Sequence, residues 1–240
     1  MTILCIDTAT ERGTVVVVRD DGSTASVGWH SASRHGENMF GYIESALTKA
    51  GASREELSLI GVAVGPGRFT SLRVGLSTAK GLAFGLDLPI VGVSSLRVLA
   101  RAIEADATVI RVPVINAYRG DVFAAAYIIG DAGVEELAPP SFGPPERVFG
   151  QIRDAAEGNP VAVGGEGVQP HASLIGTMLA VKADEIAPPM GAATADALVS
   201  EVQYALRTTG PADLDSLEPQ YLRPTDAELP DRRPKTQPRS

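Results

Sequence analysis

The chain has 240 residues, of which 44% are apolar, so it is long enough for one large domain or two small ones with a substantial core. It contains no uncharged apolar run of about 18 residues and lacks the basic start of a secretory signal, so we expect neither a membrane span nor export. The net charge of −8 argues against a general nucleic-acid-binding module, because such proteins carry a basic surface. The single cysteine, Cys5, cannot form an intrachain disulfide, which fits a buried residue of a cytoplasmic protein.

The hydrophobic pattern predicts strands and helices in alternation, which is typical of an α/β protein. In chain order, the predicted strands are Ile3–Ile6, Thr14–Val18, Ala25–Trp29, Leu59–Val64, Pro89–Val93, Val109–Ile115 and Val122–Ile129. The predicted helices are Glu37–Ala50, Thr70–Leu86, Leu96–Glu104, Pro144–Ala156 and Ala193–Arg207. From Asp226 onward, three prolines and mixed charge are typical of a disordered tail.

Two segments share one pattern, which favours two related domains. IDTATERGTVVVV, from Ile6, and INAYRGDVFAAAY, from Ile115, each contain a strand ending in Asp or Asn, a turn with Arg-Gly, and a second strand. An echo this short also arises by chance in α/β proteins. We predict one domain over residues 1–104 and a second over 105–225, whose last helix could pack back on the first, with a tail over 226–240.

The Gly65-Pro66-Gly67 turn between a strand and a helix raises the question of a phosphate-binding loop. A Walker loop needs a lysine directly before its Ser or Thr, and between Gly65 and Lys80 there is no lysine. In the dinucleotide fingerprint a third glycine permits close helix–strand packing, and Thr70 stands in its place. The pattern therefore favours a tight strand-to-helix turn.

The helix Thr70–Leu86 has a second face without charge. Its apolar stripe predicts contact with a sheet, whereas the opposite face carries Val74, Thr78, Gly81 and Gly85. Glycine within a helix costs about 1 kcal/mol relative to alanine, so another contact must offset it. Periodicity leaves two alternatives open: a helix buried inside its own chain, or a helix buried by a partner subunit.

The same region carries a family resemblance. VGPGRFTSLRVGLSTAKGLAFGLDLPIVGVSSL, from Val64, resembles the signature of the bacterial TsaB (YeaZ) family, Gly-Pro-Gly-Ser-Phe-Thr-Gly-Leu-Arg-x-Gly. The segments ILCIDTAT, SRHGENM, VINAYRGDVFAAAY and PQYLRPTDAE also resemble that family, in order along nearly the whole chain. Three positions depart from the family pattern: Arg68 replaces a serine, Ser71 a glycine, and Asn116 a frequent aspartate.

The resemblance implies a fold and a set of partners. TsaB proteins have two domains of the actin/sugar-kinase/Hsp70 (ASKHA) type, each a mixed sheet with flanking helices. They are partners of TsaD, a catalytic paralogue with the same fold. With the ATPase TsaE, they take part in placing a threonylcarbamoyl group on the adenosine beside the anticodon of certain tRNAs. TsaB is regarded as a non-catalytic scaffold of that machinery, and it also forms homodimers.

The residues at the paralogue's metal site predict no metal centre here. The paralogue carries His-x-x-x-His, whose two side chains share one helical face and can hold one ion. The matching positions in this chain are Ser95, whose neutral hydroxyl is a poor metal ligand, and Leu99, which cannot bind a metal. The three histidines, His30, His35 and His171, do not reproduce that spacing.

A nucleotide site is predicted to be weak or absent. In actin-like kinases two hairpin turns hold the phosphates, and acids at the strand ends hold the metal. The first turn here keeps Asp7, Thr8 and Thr10, but Asn116 in the second supplies no charge, which weakens Mg²⁺ binding and general-base chemistry. Gly164 and Gly165 lie where such folds often contact adenosine, although a tight strand–helix loop explains them as well.

Our sequence-based hypothesis is a non-catalytic, cytoplasmic scaffold that pairs with a TsaD-type paralogue and a TsaE-type ATPase, contacts tRNA only through that complex, and has no cofactor. The alternative is an ASKHA-fold enzyme, either a small-molecule kinase or a metallopeptidase-like protein. The partner surface is predicted on the helices Glu37–Ala50 and Thr70–Leu86. Its predicted residues are Met39, Ile43, Leu47, Val74, Thr78, Gly81 and Gly85.

Overall fold

A computed structural model describes residues 1–30, 38–130, 133–181 and 192–223, which form two mixed β-sheets with flanking helices. The first sheet has the strand order β3-β2-β1-β4-β5 and the second β8-β7-β6-β9. The strands are β1 Thr2–Asp7, β2 Arg12–Val18, β3 Thr24–His30, β4 Leu57–Gly65, β5 Ile90–Ser94, β6 Ile110–Tyr118, β7 Asp121–Gly130, β8 Gly133–Gly143 and β9 Val161–Gly164. The helices are α1 Met39–Ala50, α2 Phe69–Leu86, α3 Ser95–Ala102, α4 Pro145–Ala156, α5 Ala172–Leu179 and α6 Ala192–Thr208.

The two similar sequence segments form equivalent hairpins. Strand β1 pairs antiparallel with β2 and parallel with β4, while β6 pairs antiparallel with β7 and parallel with β9. The first turn, between β1 and β2, and the second turn, between β6 and β7, therefore occupy matching places at the ends of their sheets. The predicted domain boundary falls between α3 and β6, and the division into domains stays a prediction.

Helices cover both faces of the first sheet because its strands alternate their side chains between the faces. Leu4 and Ile6 pack in one apolar cluster with residues of α1 and α2. Ile3 and Cys5 point the other way and pack with residues of α3 and α6. Helices α1 and α2 therefore lie on the same face of this sheet, and α6, from the end of the chain, packs on the opposite face.

Helix α3 also contacts the second sheet. Leu96 and Leu99 pack with Ile115 and Phe123, residues of β6 and β7, in a separate apolar cluster. The other face of the second sheet packs against α4 and α5. We call the first sheet with α1, α2, α3 and α6 the first lobe, and the second sheet with α4 and α5 the second lobe.

Several predicted boundaries were wrong, and three elements were missed. Helix α1 begins at Met39, two residues after the predicted start, and α3 ends at Ala102, short of Glu104. Strands β8 and β9 and helix α5 were not predicted. Strand β8 contains two prolines, and proline in a sequence argues against a strand. The strand lies at the edge of its sheet, however, where proline is tolerated. The predicted tail, residues 226–240, lies outside the described residues.

None of the helices in the described part of the chain combines the length and the apolar character that a bilayer crossing needs.

Candidate functional site

The polar groups of the first turn form hydrogen bonds within the chain. Asp7 is buried, and its Oδ1 accepts the backbone N–H of Ala9 at 2.8 Å. Burial raises the pKa of Asp7 to about 6. The hydroxyl of Thr8 is also buried and donates to the carbonyl oxygen of Ser71 in α2 at 2.7 Å, while Thr10 donates to the carbonyl of Arg12 at 3.1 Å. Three of the predicted nucleotide-binding residues therefore stabilise their own turn and its contact with α2.

The Gly65-Pro66-Gly67 segment is a strand-to-helix turn packed directly on the first turn. Gly65 has a φ of 117°, a conformation that favours glycine. A β-carbon at Gly67 would collide with the carbonyl oxygen of Ala9, and the N–H of Arg68 donates to that same oxygen at 2.8 Å. The two segments touch through backbone atoms, which leaves no gap for a phosphate between them.

The second turn and the glycine-rich loop after β9 are packed in the same way. The side-chain oxygen of Asn116 accepts the N–H of Tyr118 at 2.8 Å. Gly164 and Gly165 are buried, and a β-carbon at Gly165 would collide with the carbonyl oxygen of Val114 in β6. The predicted adenosine contact is thus a loop that packs tightly on the neighbouring strand.

Four side chains meet between the two turns, and we call them the turn cluster: Glu11, Arg68, Tyr118 and Glu166. The Nη2 atom of Arg68 lies 3.3 Å from Oε1 of Glu11, and its guanidinium lies 4.4 Å from the centre of the Tyr118 ring. The hydroxyl of Tyr118 donates to the same Glu11 oxygen at 3.2 Å. The backbone N–H of Glu11 donates to Oε2 of Glu166 at 3.4 Å. The cluster thus joins the first turn, the start of α2, the second turn and the loop after β9.

Glu166 is the least satisfied member of the turn cluster. Its Oε1 atom is buried and has no hydrogen-bond partner. Burial raises the pKa of its carboxyl group, the nearby Glu11 raises it further, and Arg68 and Arg12 oppose that rise. These four residues are far apart in the chain, so no local sequence pattern predicts that they form a cluster.

The residues expected at a metal site do not assemble one. Ser95 and Leu99 are buried on α3, and within the described ranges no three His, Cys, Asp or Glu side chains come together as metal ligands. His30 lies at the end of β3 with its Nε2 3.9 Å from Oε2 of Glu11, and His171 ends a short 3-10 turn. His35 lies outside the described residues, and the absence of a resident metal stays a prediction.

The predicted interface residues of α1 lie in the core. Met39, Ile43 and Leu47 are buried among residues of the first sheet and α2, because they form the stripe that covers the sheet. They are therefore not accessible to a partner that docks on this structure. The exposed apolar residue of α1 is Phe40, whose exposed fraction is 65%.

The second face of α2 is open. Val74 and Thr78 are half-buried, but Gly81 and Gly85 are exposed, and a β-carbon at either glycine would meet no atom within 4 Å. Phe84, which lies within about 100° of both glycines around the helix, has an exposed fraction of 80%. The periodicity of α2 left two alternatives open: a helix buried inside its own chain, or a helix buried by a partner subunit. In the described part of the chain this face is exposed, so the first alternative does not hold for it. We call Gly81, Phe84 and Gly85 the open α2 face.

An aromatic cluster lies at the other end of α2. The guanidinium of Arg73 lies 3.8 Å from the ring centre of Phe69, and its Nε donates to the hydroxyl of Tyr221 at 2.8 Å. Phe69 and Tyr221 are themselves in ring contact, with centres 5.0 Å apart, and both are exposed. The exposed aromatic side chains at both ends of α2 were not among the predicted interface residues, because the prediction was based on the apolar stripe and the glycines of the helix.

Comparison with known proteins adds a family to this geometry. The family model described as TsaD, tRNA N6-adenosine threonylcarbamoyltransferase, matches residues 29–235. A relative from Bacillus subtilis, named tRNA threonylcarbamoyladenosine biosynthesis protein TsaB, is 30% identical over 95% of this chain and 96% of its own length. The protein of the same name from Escherichia coli is 34% identical over 56% of this chain and 58% of its own length.

A solved structure shows the same fold. The structure described as YeaZ from Pseudomonas aeruginosa superposes with a TM-score of 0.76, covering 92% of this chain and 99% of that one. Its sequence identity to this chain is 24%. The mixed α/β arrangement with two sheets is therefore shared with that protein.

Proposed function

Since the chain belongs to the TsaB (YeaZ) family, within the wider group that the TsaD family model describes, we propose that it is a non-catalytic, cytoplasmic scaffold subunit in the synthesis of threonylcarbamoyladenosine in tRNA. In this role it pairs with a TsaD-type catalytic paralogue, and a TsaE-type ATPase joins the pair. Transfer of the threonylcarbamoyl group takes place on the paralogue, and this chain meets tRNA only as part of the complex.

The observation that carries the proposal is the open α2 face. A helix with two exposed glycines four residues apart and a phenylalanine exposed between them is poorly suited to water, since glycine weakens the helix and the ring gains nothing from solvent. Small residues let a second helix approach closely, and the aromatic ring supplies apolar contact area. A partner helix packed there would offset both costs.

The same surface is proposed to serve in homodimers of the isolated chain. Phe40 is an exposed apolar side chain of α1, which lies on the same face of the first sheet as α2, whereas Met39, Ile43 and Leu47 of α1 are buried against that sheet. An isologous pair of such surfaces makes a twofold dimer, and a paralogue with the same fold can replace one copy.

The turn cluster weighs against the enzyme alternative. A kinase on this fold needs its two turns free to hold phosphates, but here the polar groups of the first turn bond within the chain, and Arg68 pairs with Glu11 between the turns. A metallopeptidase-like activity needs ligands where Ser95 and Leu99 stand. These observations support a subunit that does not itself catalyse a reaction.

Titration of the isolated chain with the TsaD-type paralogue of the same organism tests the proposal. We expect sedimentation velocity to show a homodimer that is replaced by a one-to-one heterodimer as the paralogue is added, because both use the open α2 face. An assembly in which two copies of this chain stay paired while each also binds a paralogue would contradict the shared surface. No interaction with the paralogue would contradict the proposed function itself.

A further inference from the structure

The turn cluster holds the two lobes together at a point where the chain departs from its family pattern. Arg68 stands where the family signature has a serine, and it directly precedes α2. Its backbone bonds to the first turn, its charge pairs with Glu11, and its guanidinium lies over Tyr118 of the second turn. One side chain of the first lobe therefore reaches the second lobe.

The charges of the cluster make Arg68 its central member. Glu11 and Glu166 bring two carboxylates to the same place, since the N–H of Glu11 donates to Oε2 of Glu166 and the charge of Glu11 raises the pKa of Glu166. Arg68 is paired with Glu11 at 3.3 Å, and its positive charge lowers the pKa of Glu166. Without it, the two carboxylates would keep only Arg12 and the imidazole of His30 beside them among the described residues, and like charges in a partly buried site repel.

The lobes have a second contact that does not depend on these charges. Leu96 and Leu99 of α3 pack against Ile115 and Phe123 of the second sheet. Arg223, near the end of the described chain, also donates from Nη1 to the carbonyl oxygen of Ala117 at 2.7 Å. Loss of the turn cluster would thus leave the lobes attached through α3 while the two turns separate.

We propose that Arg68 is a positioning residue that closes the two turns on each other: its ion pair with Glu11 fixes the guanidinium within the first lobe, and its cation–π contact with Tyr118 joins that lobe to the second. The cation–π contact with Tyr118 and the ion pair with Glu11 act together, because each fixes the guanidinium for the other. Because Arg68 directly precedes α2, these contacts also fix the position of the N-terminal end of α2.

Hydrogen exchange of the isolated chain tests this inference without any partner, so its result is separate from that of the proposed function. In Arg68→Ser we expect backbone amides of both turns to exchange at least about tenfold faster, while amides of β1 and β4 keep their protection. Glu11→Gln should have a similar effect, and the double variant should add little to either single change, because both remove one interaction. The matched control is Arg54→Ser, which removes an exposed arginine of the first lobe away from the cluster and should leave the exchange of both turns unchanged.

Tyr118→Leu separates the contact between the lobes from the ion pair within the first lobe. It removes the ring next to the guanidinium and the hydroxyl bond to Glu11 but leaves Arg68 and Glu11 in place, so both turns should exchange about as fast as in Arg68→Ser. The inference is overturned if Arg68→Ser exchanges like the unaltered chain, or if Tyr118→Leu does. If Arg68→Ser fails to fold, Glu11→Gln gives the same comparison.

Discussion

Gly85→Leu is expected to weaken association with the TsaD-type paralogue by up to about a hundredfold while slightly stabilising the isolated chain. Overpacking a close helix contact costs roughly 1–3 kcal/mol, and 3 kcal/mol is about a hundredfold in affinity. In the isolated chain the new side chain meets open space, and leucine is a better helix former than glycine by about 0.5–1 kcal/mol. Isothermal titration with the paralogue and a thermal melt of the chain alone measure the two effects.

Two control variants make the outcome specific to the open α2 face. Gln151→Leu adds a leucine at an exposed position of α4 in the other lobe and should leave the affinity unchanged. Ile43→Val, on the buried face of α1, should lower the free energy of unfolding by about 0.5–1.5 kcal/mol without a comparable loss of affinity. Full affinity in Gly85→Leu would place the interface elsewhere, and a lower melting temperature would mean that this face is not open in solution.

Asp7→Asn is expected to stabilise the chain by about 2–3 kcal/mol at pH 8 and to have little effect near pH 4. The pKa of Asp7 is raised by burial from 3.8 to about 6 in the folded state. Between these values the folded chain retains a proton that the unfolded chain releases, so stability falls as the pH rises through this window. Above pH 6 the full penalty applies, and a rise of this size corresponds to about 3 kcal/mol.

The asparagine removes this penalty while its side-chain oxygen can still accept the N–H of Ala9. Urea unfolding at pH 4 and pH 8 measures the difference, with Asp20→Asn as the same substitution at an exposed position for comparison. Equal stabilities of Asp7→Asn and the unaltered chain at pH 8 would mean that Asp7 is not held in a costly buried state.

The sequence predicted the elements whose patterns are set locally. Strands β1, β4 and β6 are mostly apolar runs that end at Asp, Gly or a polar turn, and α2 follows its glycine turn almost at once. Edge strand β8 was missed because its prolines oppose a strand in isolation, and its place at the edge is a tertiary property. A strand-to-helix turn was predicted in place of a phosphate loop because the lysine and the third glycine of the known phosphate-binding motifs are missing. The structure adds a physical reason, since Gly67 packs closely on Ala9.

The candidate site was less accessible to sequence reasoning. An apolar stripe along a helix predicts burial without saying by what, so Met39 and Ile43 were assigned to a partner although the first sheet covers them. Phe84 could have been found, since it falls on the same face as the two glycines. The turn cluster could not, because Glu11 and Glu166 meet only after both lobes have folded.

An omission assay tests the scaffold assignment most directly. The paralogue, the TsaE-type ATPase, a threonylcarbamoyl donor and tRNA are incubated with and without this chain, and threonylcarbamoyladenosine is quantified after digestion of the tRNA. We predict modification only when this chain and the paralogue are both present, and none when this chain replaces the paralogue. Modification by this chain without the paralogue, or an equal rate when this chain is omitted, would contradict its role as a non-catalytic scaffold.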